Sequence, residues 1–121
     1  MKLSKPLFYI PLMLLLSCPA FAGQAEIVDV KVTNSQGSYR FDVTLRHDDT
    51  GWDHYADGWE VLLPSGEVLG KRVLGHPHVD EQPFTRSLSG VKIPHGTSSV
   101  SIRAHDSVHG YNKVVFRVDL P

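Results

Sequence analysis

Histidine is the residue type whose number and spacing in this chain could do chemistry. The chain has seven histidines among 121 residues, and two pairs are close in sequence, His76 with His78 and His105 with His109. Neutral imidazole is a good ligand for zinc and copper, so each pair could offer two ligands to one ion. The histidine pattern therefore predicts a site for a divalent transition metal, with zinc or copper as the leading candidates.

The candidate ligands are the closely spaced histidines, with two earlier histidines as alternates: His76, His78, His105, His109, His47 and His54. Carboxylates often orient such ligands by accepting a hydrogen bond from the second imidazole nitrogen. The candidates for that role are acidic residues near the histidines: Asp53, Asp106, Asp80 and Glu81. Short histidine spacings recur by chance in histidine-rich chains. An alternative therefore stays open, in which the histidines cap strands and only hydrogen-bond to acidic loop residues.

A calcium site is a second possibility, because Asp49, Asp53 and Asp57 could offer oxygen ligands. Their spacing of four residues does not match the alternating acidic pattern of a calcium-binding loop. The same aspartates could instead cap a short helical turn.

Aromatic residues in the same part of the chain indicate a different class of function. Trp52, Tyr55 and Tyr111 lie beside Asp and His residues, and aromatic side chains are frequent anchors for sugars, peptides and protein partners. The alternative to the metal site is therefore a carbohydrate-, peptide- or protein-binding module. Trp52 and Tyr55 could also simply cover one end of the domain, and Trp59 is expected in the core.

The sequence does not predict an enzyme. Ser107 follows His105 and Asp106, which are the residue types of a catalytic triad. Adjacent residues cannot form the chain of hydrogen bonds from nucleophile to base to orienting group that a triad requires. The His-Glu-x-x-His motif of metalloproteases is also absent from the sequence.

Residues 1–22 are predicted to be a secretory signal peptide. Lys2 and Lys5 give a positive start, residues 7–16 form an apolar core, and Ala20-Phe21-Ala22 is a small-x-small cleavage site. Cleavage there would make Gly23 the first residue of an exported protein, either periplasmic or secreted. The apolar run is too short and too interrupted by Pro11 for a transmembrane helix.

A lipoprotein signal is the less favoured alternative. In the segment Leu15-Leu16-Ser17-Cys18, Cys18 could carry a lipid anchor and become the first residue. The middle position holds an apolar residue where a small one is preferred, and a good cleavage site follows it.

Residues 23–121 are predicted to form one domain of 99 residues. Cys18 is the only cysteine in the sequence, so no disulfide is available to this domain. Without Lys2 and Lys5, ten basic side chains face thirteen acidic ones, a formal charge of −3. Nucleic acid is not expected as a partner, because no basic footprint is present.

Apolar and polar residues alternate with the two-residue period of β-strands along most of this domain. The predicted strands are 25–33, 38–47, 58–63, 67–74, 84–91, 97–105 and 113–120. Seven short strands in a domain of this size favour an all-β, antiparallel sandwich of the immunoglobulin-like or fibronectin-III-like type. The fourth strand alternates poorly and is expected at an edge.

Three phrases of the sequence carry a resemblance to known proteins. They are W-x-V-L-x-P-x-G at 59–66, H-P-H-V-D-E-Q-P-F-T-R-S-L-S-G at 76–90 and R-A-H-D-S-V-H-G-Y at 103–111. The chain resembles a family of small, exported, uncharacterised bacterial proteins. The resemblance implies an immunoglobulin-like or fibronectin-III-like fold and an exported location, and no activity.

Counting antiparallel strands predicts which loops meet. The turns 34–37, 64–66 and 92–96 would share one end of the sandwich, and the loops 48–57, 75–83 and 106–112 would share the other. Six of the seven histidines fall at the second end, and His95 falls at the first. Clustered loops at one end of a sandwich often bind ligands. We therefore expect the site at this second end, called the histidine-rich end below.

Overall fold

The computed structural model describes residues 23–121, so the predicted signal peptide lies outside the described residues. The described residues form eight strands: β1 Glu26–Ser35, β2 Ser38–Arg46, β3 Ala56–Leu62, β4 Val68–Val73, β5 Phe84–Lys92, β6 Ser99–Asp106, β7 Gly110–Tyr111 and β8 Phe116–Asp119. Every regular element within 23–121 is a strand, which confirms the all-β prediction. The same residues include no helix long and apolar enough to cross a membrane.

The strands form two antiparallel sheets. One sheet has the order β1-β2-β5, and the other has the order β4-β3-β6-β7, with β8 also paired to β6. The buried apolar side chains come from both sheets and form one core, as expected for two sheets packed face to face. The edge position predicted for the fourth strand is confirmed, because β4 pairs with β3 alone among the described strands.

The alternation of β2 and β6 explains most of the core. Phe41, Val43 and Leu45 of β2 are fully buried, and so is Ile102 of β6, which lies opposite Val61 of β3. Burying each of these aliphatic or phenyl side chains stabilises the fold by about 1.5–3 kcal/mol relative to leaving it exposed. Because this core fixes the register of both sheets, it also fixes where the strands end and the loops begin.

Two local irregularities change the predicted faces. In β1 the register shifts between Ile27 and Asp29, so Val28 is 38% exposed and Ile27 packs toward the core instead. In β3 the register with β4 shifts between Val61 and Leu62. Leu62 is buried and Leu63 is half-buried, whereas strict alternation from Trp59 and Val61 predicts that Leu63 faces inward. An extra residue in one strand reverses the facing of the residues beyond it, which a strict two-residue period does not anticipate.

The structure corrects the bounds of the predicted last strand, 113–120. The chain instead forms the two-residue β7, a break at Asn112, and then β8, with Val114 55% exposed rather than inward. The Asn112 backbone N–H donates to the carbonyl of Ala104 at 2.8 Å, and its side-chain amide donates to the carbonyl of Ala25 at 2.8 Å. These bonds hold Asn112 between the two sheets, at the point where the pairing of β7 with β6 ends.

The three long loops meet at the histidine-rich end, as strand counting predicted. The backbone N–H of His78 donates to Asp49 at 2.7 Å, which joins the second loop to the first. The backbone N–H of Ser107 donates to the carbonyl of Tyr55 at 2.9 Å, which joins the third loop to the first. The start of the described chain, at Gly23, lies at the same end.

Candidate metal centre

Three side chains from different parts of the chain converge at the histidine-rich end. His47 follows β2, His54 lies in the loop before β3, and Asp106 ends β6. Their ligand atoms all lie within 4.8 Å of one another. The two imidazole Nε2 atoms are 3.2 Å apart, and Nε2 of His54 is 3.1 Å from a carboxylate oxygen of Asp106. We call these three residues the His47 cluster.

The carbonyl oxygen of Gly23 adds a fourth atom to the cluster. It lies 2.8 Å from Nε2 of His47 and 2.9 Å from Nε2 of His54. Ligand atoms around a tetrahedral zinc ion with bonds of about 2.0–2.1 Å are roughly 3.3 Å apart. Four of the contacts among these atoms, at 2.8 to 3.2 Å, are slightly shorter than that spacing, so small movements would let the four atoms surround one ion.

Asp49 holds the His47 ring in place. Its carboxylate accepts hydrogen bonds from Nδ1 of His47, from the backbone N–H of Ala56 at 3.0 Å and from that of His78 at 2.7 Å. The side chains of His47 and Asp49 are 1% and 0% exposed. Because Nδ1 of His47 donates to a carboxylate, Nε2 of a neutral ring carries a lone pair toward the cluster.

A tight turn positions His54. The backbone N–H of Thr50 donates to the carbonyl of His54 at 3.0 Å, and the N–H of His54 donates to that of Gly51 at 3.3 Å. Gly51 has a φ of 138°, a conformation that suits glycine. The turn brings the His54 ring to 4.6 Å from that of His47 and to 5.0 Å from that of His109. The His54 side chain stays 22% exposed, so the cluster is reachable from solvent.

Asp106 is a buried carboxylate held by the loop that follows it. Its Oδ1 accepts hydrogen bonds from the backbone N–H groups of Val108 at 3.0 Å and His109 at 2.8 Å, and from Nδ1 of His109 at 3.0 Å. Burial is the largest single influence on its pKa and raises it, but the N–H donors of His109 and Val108 together hold the pKa below the usual value. Asp106 therefore carries a negative charge into the cluster at neutral pH.

The cluster has more hydrogen-bond acceptors than donors, which favours a bound cation. With neutral rings, Nε2 of His47 and the carbonyl oxygen of Gly23 both present lone pairs at 2.8 Å beside the Asp106 carboxylate, and Nε2 of His54 can supply one hydrogen. Lone pairs this close repel one another unless a positive charge lies between them. A bound metal ion would satisfy all four atoms, whereas without a metal the rings would need additional protons.

The structure separates His76 and His78 from this cluster. The His78 ring stacks on Phe84 at 3.9 Å with 9° between the planes, and neither of its nitrogens has a hydrogen-bond partner. Burial, then the positive charges of Arg86 and His76, lowers the pKa of His78, which makes a neutral ring the stable form. His76 is exposed, and its ring lies 4.6 Å from that of His78.

His105 belongs to a third arrangement. Its Nδ1 pairs with Asp57, and its ring meets Tyr111 edge to face at 4.6 Å. Among the four leading candidates, His109 is thus the one placed against the His47 cluster, where it contacts His54 and Asp106. The leading four do not come together as one group, whereas the two alternates, His47 and His54, converge with Asp106.

None of the remaining acidic candidates is among the described residues that form the His47 cluster. Asp53, Asp80 and Glu81 are exposed, and Glu81 pairs with Arg86 at 3.3 Å. The calcium alternative gains no support, since Asp49 bonds to His47 while Asp57 bonds to His105.

Gly23 and Asp49 are the participants that the sequence analysis missed. Strand counting could have placed Gly23, because β1 is antiparallel to β2 and must begin where β2 ends. Asp49 is only two residues from His47, but its role depends on the loop that carries His78.

The aromatic candidates form two separate groups. Trp52 is 68% exposed and meets Tyr55 edge to face at 5.5 Å. Tyr111 lies on the outer face of the second sheet, where Arg103 is 4.3 Å from its ring centre and Lys71 is 5.9 Å away. The expected single aromatic surface is therefore divided between a loop and a sheet face.

A cleft of about 460 Å³ opens beside the His47 cluster. It is lined by the start of the described chain, by the residues that follow β2 and by the segment that leads into β8. These include Gly23, Ile27, His47, Val115 and Phe116. The cleft gives a small solute a route to the Gly23 side of the cluster.

Comparison with known proteins gives one significant relationship to report. The chain is 44% identical over 97 residues to a protein of Halomicrobium mukohataei named "Putative lipoprotein". The matched part covers 79% of this chain and 47% of the relative, so the chain spans about half the length of the curated relative it matches. No family model matches the chain, and no solved structure matches it significantly.

Proposed function

We propose that this domain is an exported, non-enzymatic binding protein that holds one divalent transition metal ion, zinc or copper. The ligands are Nε2 of His47, Nε2 of His54 and a carboxylate oxygen of Asp106. The observation that carries the proposal is the convergence of these atoms within 4.8 Å, with the buried Asp49 fixing the His47 tautomer so that its free nitrogen faces the group.

The chemistry of these donors supports a transition metal over calcium. Two imidazole nitrogens with one carboxylate suit zinc or copper, whereas calcium takes six to eight oxygen ligands. In a second layer of hydrogen bonds, Nδ1 of His47 donates to Asp49 and Nδ1 of His109 donates to Asp106, which is the arrangement that orients ligands in metal sites.

The non-enzymatic part of the proposal is supported by the fourth atom. Catalytic zinc sites keep a coordination position open for water or substrate, while structural sites fill all four with protein atoms. With the Gly23 carbonyl as the fourth donor, the protein fills a tetrahedral shell. Metal storage, delivery or stabilisation of the domain fits this arrangement better than hydrolysis.

The first prediction concerns stoichiometric binding. Metal-free protein comprising residues 23–121, without a histidine tag, should bind one zinc or copper ion per chain in calorimetric titration, and its melting temperature should rise in the presence of metal. His54→Ala should weaken binding by at least about 100-fold, because it removes one of the two imidazole donors. The partial exposure of His54 makes this change tolerable for the fold.

His105→Ala is the matched control, since His105 also pairs with an aspartate at the same end but lies outside the cluster. The control should bind metal like the wild type. Equal loss in both variants, or no saturable binding by the wild type, would contradict the proposal.

A second candidate function is supported by the exposure of Trp52. An indole that is 68% exposed and meets one tyrosine edge to face is an anchor that a carbohydrate, peptide or protein partner could cover. The second prediction is that Trp52→Ala and Tyr55→Ala leave metal affinity and folding unchanged but abolish binding to such a partner in glycan and peptide arrays. Identical array profiles for wild type and variants would remove this candidate.

The export of the domain is supported by the signal-like segment 1–22 and by the lipoprotein name of the relative. Two processing routes are then open. Cleavage after Ala22 would release a free periplasmic or secreted protein, and cleavage before Cys18 would leave it lipid-anchored to the envelope.

The finer fold assignment is also a proposal. We assign the two sheets to an immunoglobulin-like or fibronectin-III-like sandwich. The support is the pairing of β2 with β5 and of β3 with β6, which matches the B–E and C–F pairings of that architecture. The fourth strand joins β3 in this chain instead of extending the first sheet.

A further inference from the structure

The position of Gly23 in the cluster is closely restricted. Its carbonyl oxygen faces Nε2 of both His47 and His54, and its φ is +94°. A Cβ atom at this position would lie 2.7 Å from Cε1 of His109 and 3.2 Å from Cε1 of His54. The close approach of two imidazoles therefore favours glycine here, the residue without a Cβ atom.

The same residue is the first one after the predicted cleavage site. The small-x-small segment Ala20-Phe21-Ala22 places the cut between Ala22 and Gly23. Cleavage converts the Gly23 amide nitrogen, which donates a hydrogen bond but does not coordinate metals readily, into an amine with a lone pair. In an amino-terminal glycine, the amine and the carbonyl oxygen can bind one ion together and close a five-membered ring.

We propose that the mature amino terminus of this protein is itself part of the metal site, with the α-amine of Gly23 as a ligand beside His47 and His54. This inference rests on the proposed metal-binding function and extends it. The donor set becomes an amine, two imidazoles and the Asp106 carboxylate, with the Gly23 carbonyl oxygen available as a weaker ligand. Processing by the signal peptidase then completes the site.

Nitrogen-rich donor sets of this kind favour copper(II) over zinc, because copper(II) forms the more stable complexes with nitrogen donors among the first-row divalent ions. The inference therefore makes copper(II) the metal to test first. The glycine at position 23 is explained separately, by the two imidazoles that leave no room for a Cβ atom.

The test compares two forms of the domain that differ only at the amino terminus. One form begins at Gly23 and is released from a fusion partner by a protease that leaves this glycine first. The other retains residues 19–22, so that the Gly23 nitrogen remains an amide. Copper(II) affinity is measured by competition with a chelator, and the number of nitrogen donors is counted from the hyperfine structure of the electron paramagnetic resonance spectrum. The wild-type protein exported through its own signal is analysed by intact mass.

The form beginning at Gly23 should bind copper(II) at least about tenfold more tightly and show one more nitrogen donor than the extended form, while both melt alike without metal. Equal affinity and equal nitrogen counts would overturn this inference and leave the His47 cluster as the metal site. No binding of copper(II) by either form would overturn this inference, and no binding of zinc by either form in the same competition assay would overturn the proposed function as well. An exported mass that begins at a residue other than Gly23, such as a lipidated Cys18, would also overturn the inference.

Discussion

Two of the histidine–aspartate pairs at the histidine-rich end, His47–Asp49 and His105–Asp57, have the same local chemistry in different surroundings. In each pair, Nδ1 of the histidine bonds to an aspartate carboxylate, His47 to Asp49 and His105 to Asp57. The side chains of the first pair are 1% and 0% exposed, and those of the second are 30% and 28% exposed. The free nitrogen of His47 faces three other ligand atoms, whereas the His105 ring lies edge-on against Tyr111.

The comparison supports placing the proposed metal site at the first pair and not at the second. Pairing fixes the tautomer and orientation of an imidazole in both cases. A metal site also requires that the second imidazole nitrogen lie close to further ligand atoms that are partly shielded from water. The first pair meets this condition because the loop after β2, the end of β6 and the start of the chain converge on it.

The largest expected difference between the pairs is in stability. Asp49→Ala should destabilise the domain by about 3–5 kcal/mol, because it leaves the buried N–H groups of His47, Ala56 and His78 without acceptors. Asp57→Ala should cost no more than about 1 kcal/mol, because solvent can replace a partly exposed partner. Urea denaturation of the two variants measures both values. Similar losses in the two proteins would show that the difference in burial does not set the strength of the pairs.

The sequence was sufficient to predict the features that depend on periodicity. The alternation of Phe41, Val43 and Leu45 located β2 and the core, and strand counting brought the three long loops to one end. The bulge at Val28 and the break at Asn112 were not predictable in this way, because each depends on contacts with a neighbouring strand.

The metal ligands were harder to predict for a related reason. Spacing along the chain favoured His76 with His78 and His105 with His109, but the members of each pair, two and four residues apart, have different partners. His78 packs on Phe84, and His105 pairs with Asp57. The cluster is instead built from residues 7 and 52 positions apart, His47 with His54 and His54 with Asp106. Ligands so far apart in sequence can be identified only once the pairing of β3 with β6 is known.

A smaller effect is expected from the residue that supports Asp106. His109→Ala removes the Nδ1 donor that lies 3.0 Å from the Asp106 carboxylate, while the backbone donors of the same loop remain. Metal affinity should fall by about 10- to 100-fold, as is typical when an orienting hydrogen bond to a metal ligand is lost. Tyr111→Phe is the matched control on the other pair and should leave affinity unchanged. Affinity unchanged by His109→Ala would show that Asp106 needs no side-chain support, and the contrast between the pairs would then rest on burial alone.

The smallest effect is expected at His78, which lies behind the first pair. Its ring is buried against Phe84 without a hydrogen-bond partner, and burial, with Arg86 and His76, lowers its pKa while Asp49 and Glu81 oppose the shift. A pKa lowered by folding means that the unfolded chain binds the proton more readily. The contribution of His78 to stability is therefore complete above its unfolded pKa of about 6.5, and it is lost as the pH falls through the folded value.

Within that window, each pH unit should cost the wild type at most about 1.4 kcal/mol. His78→Leu, which has no proton to gain, should remove this part of the pH dependence, so that the variant gains stability relative to wild type between pH 7 and pH 5. His95→Ala, at the exposed opposite end, should keep the wild-type dependence. Denaturation curves across this pH range decide the point. If His78→Leu and the wild type lose stability in parallel on acidification, the sensitivity to acid comes from the buried His47–Asp49 pair and its neighbours instead of from His78.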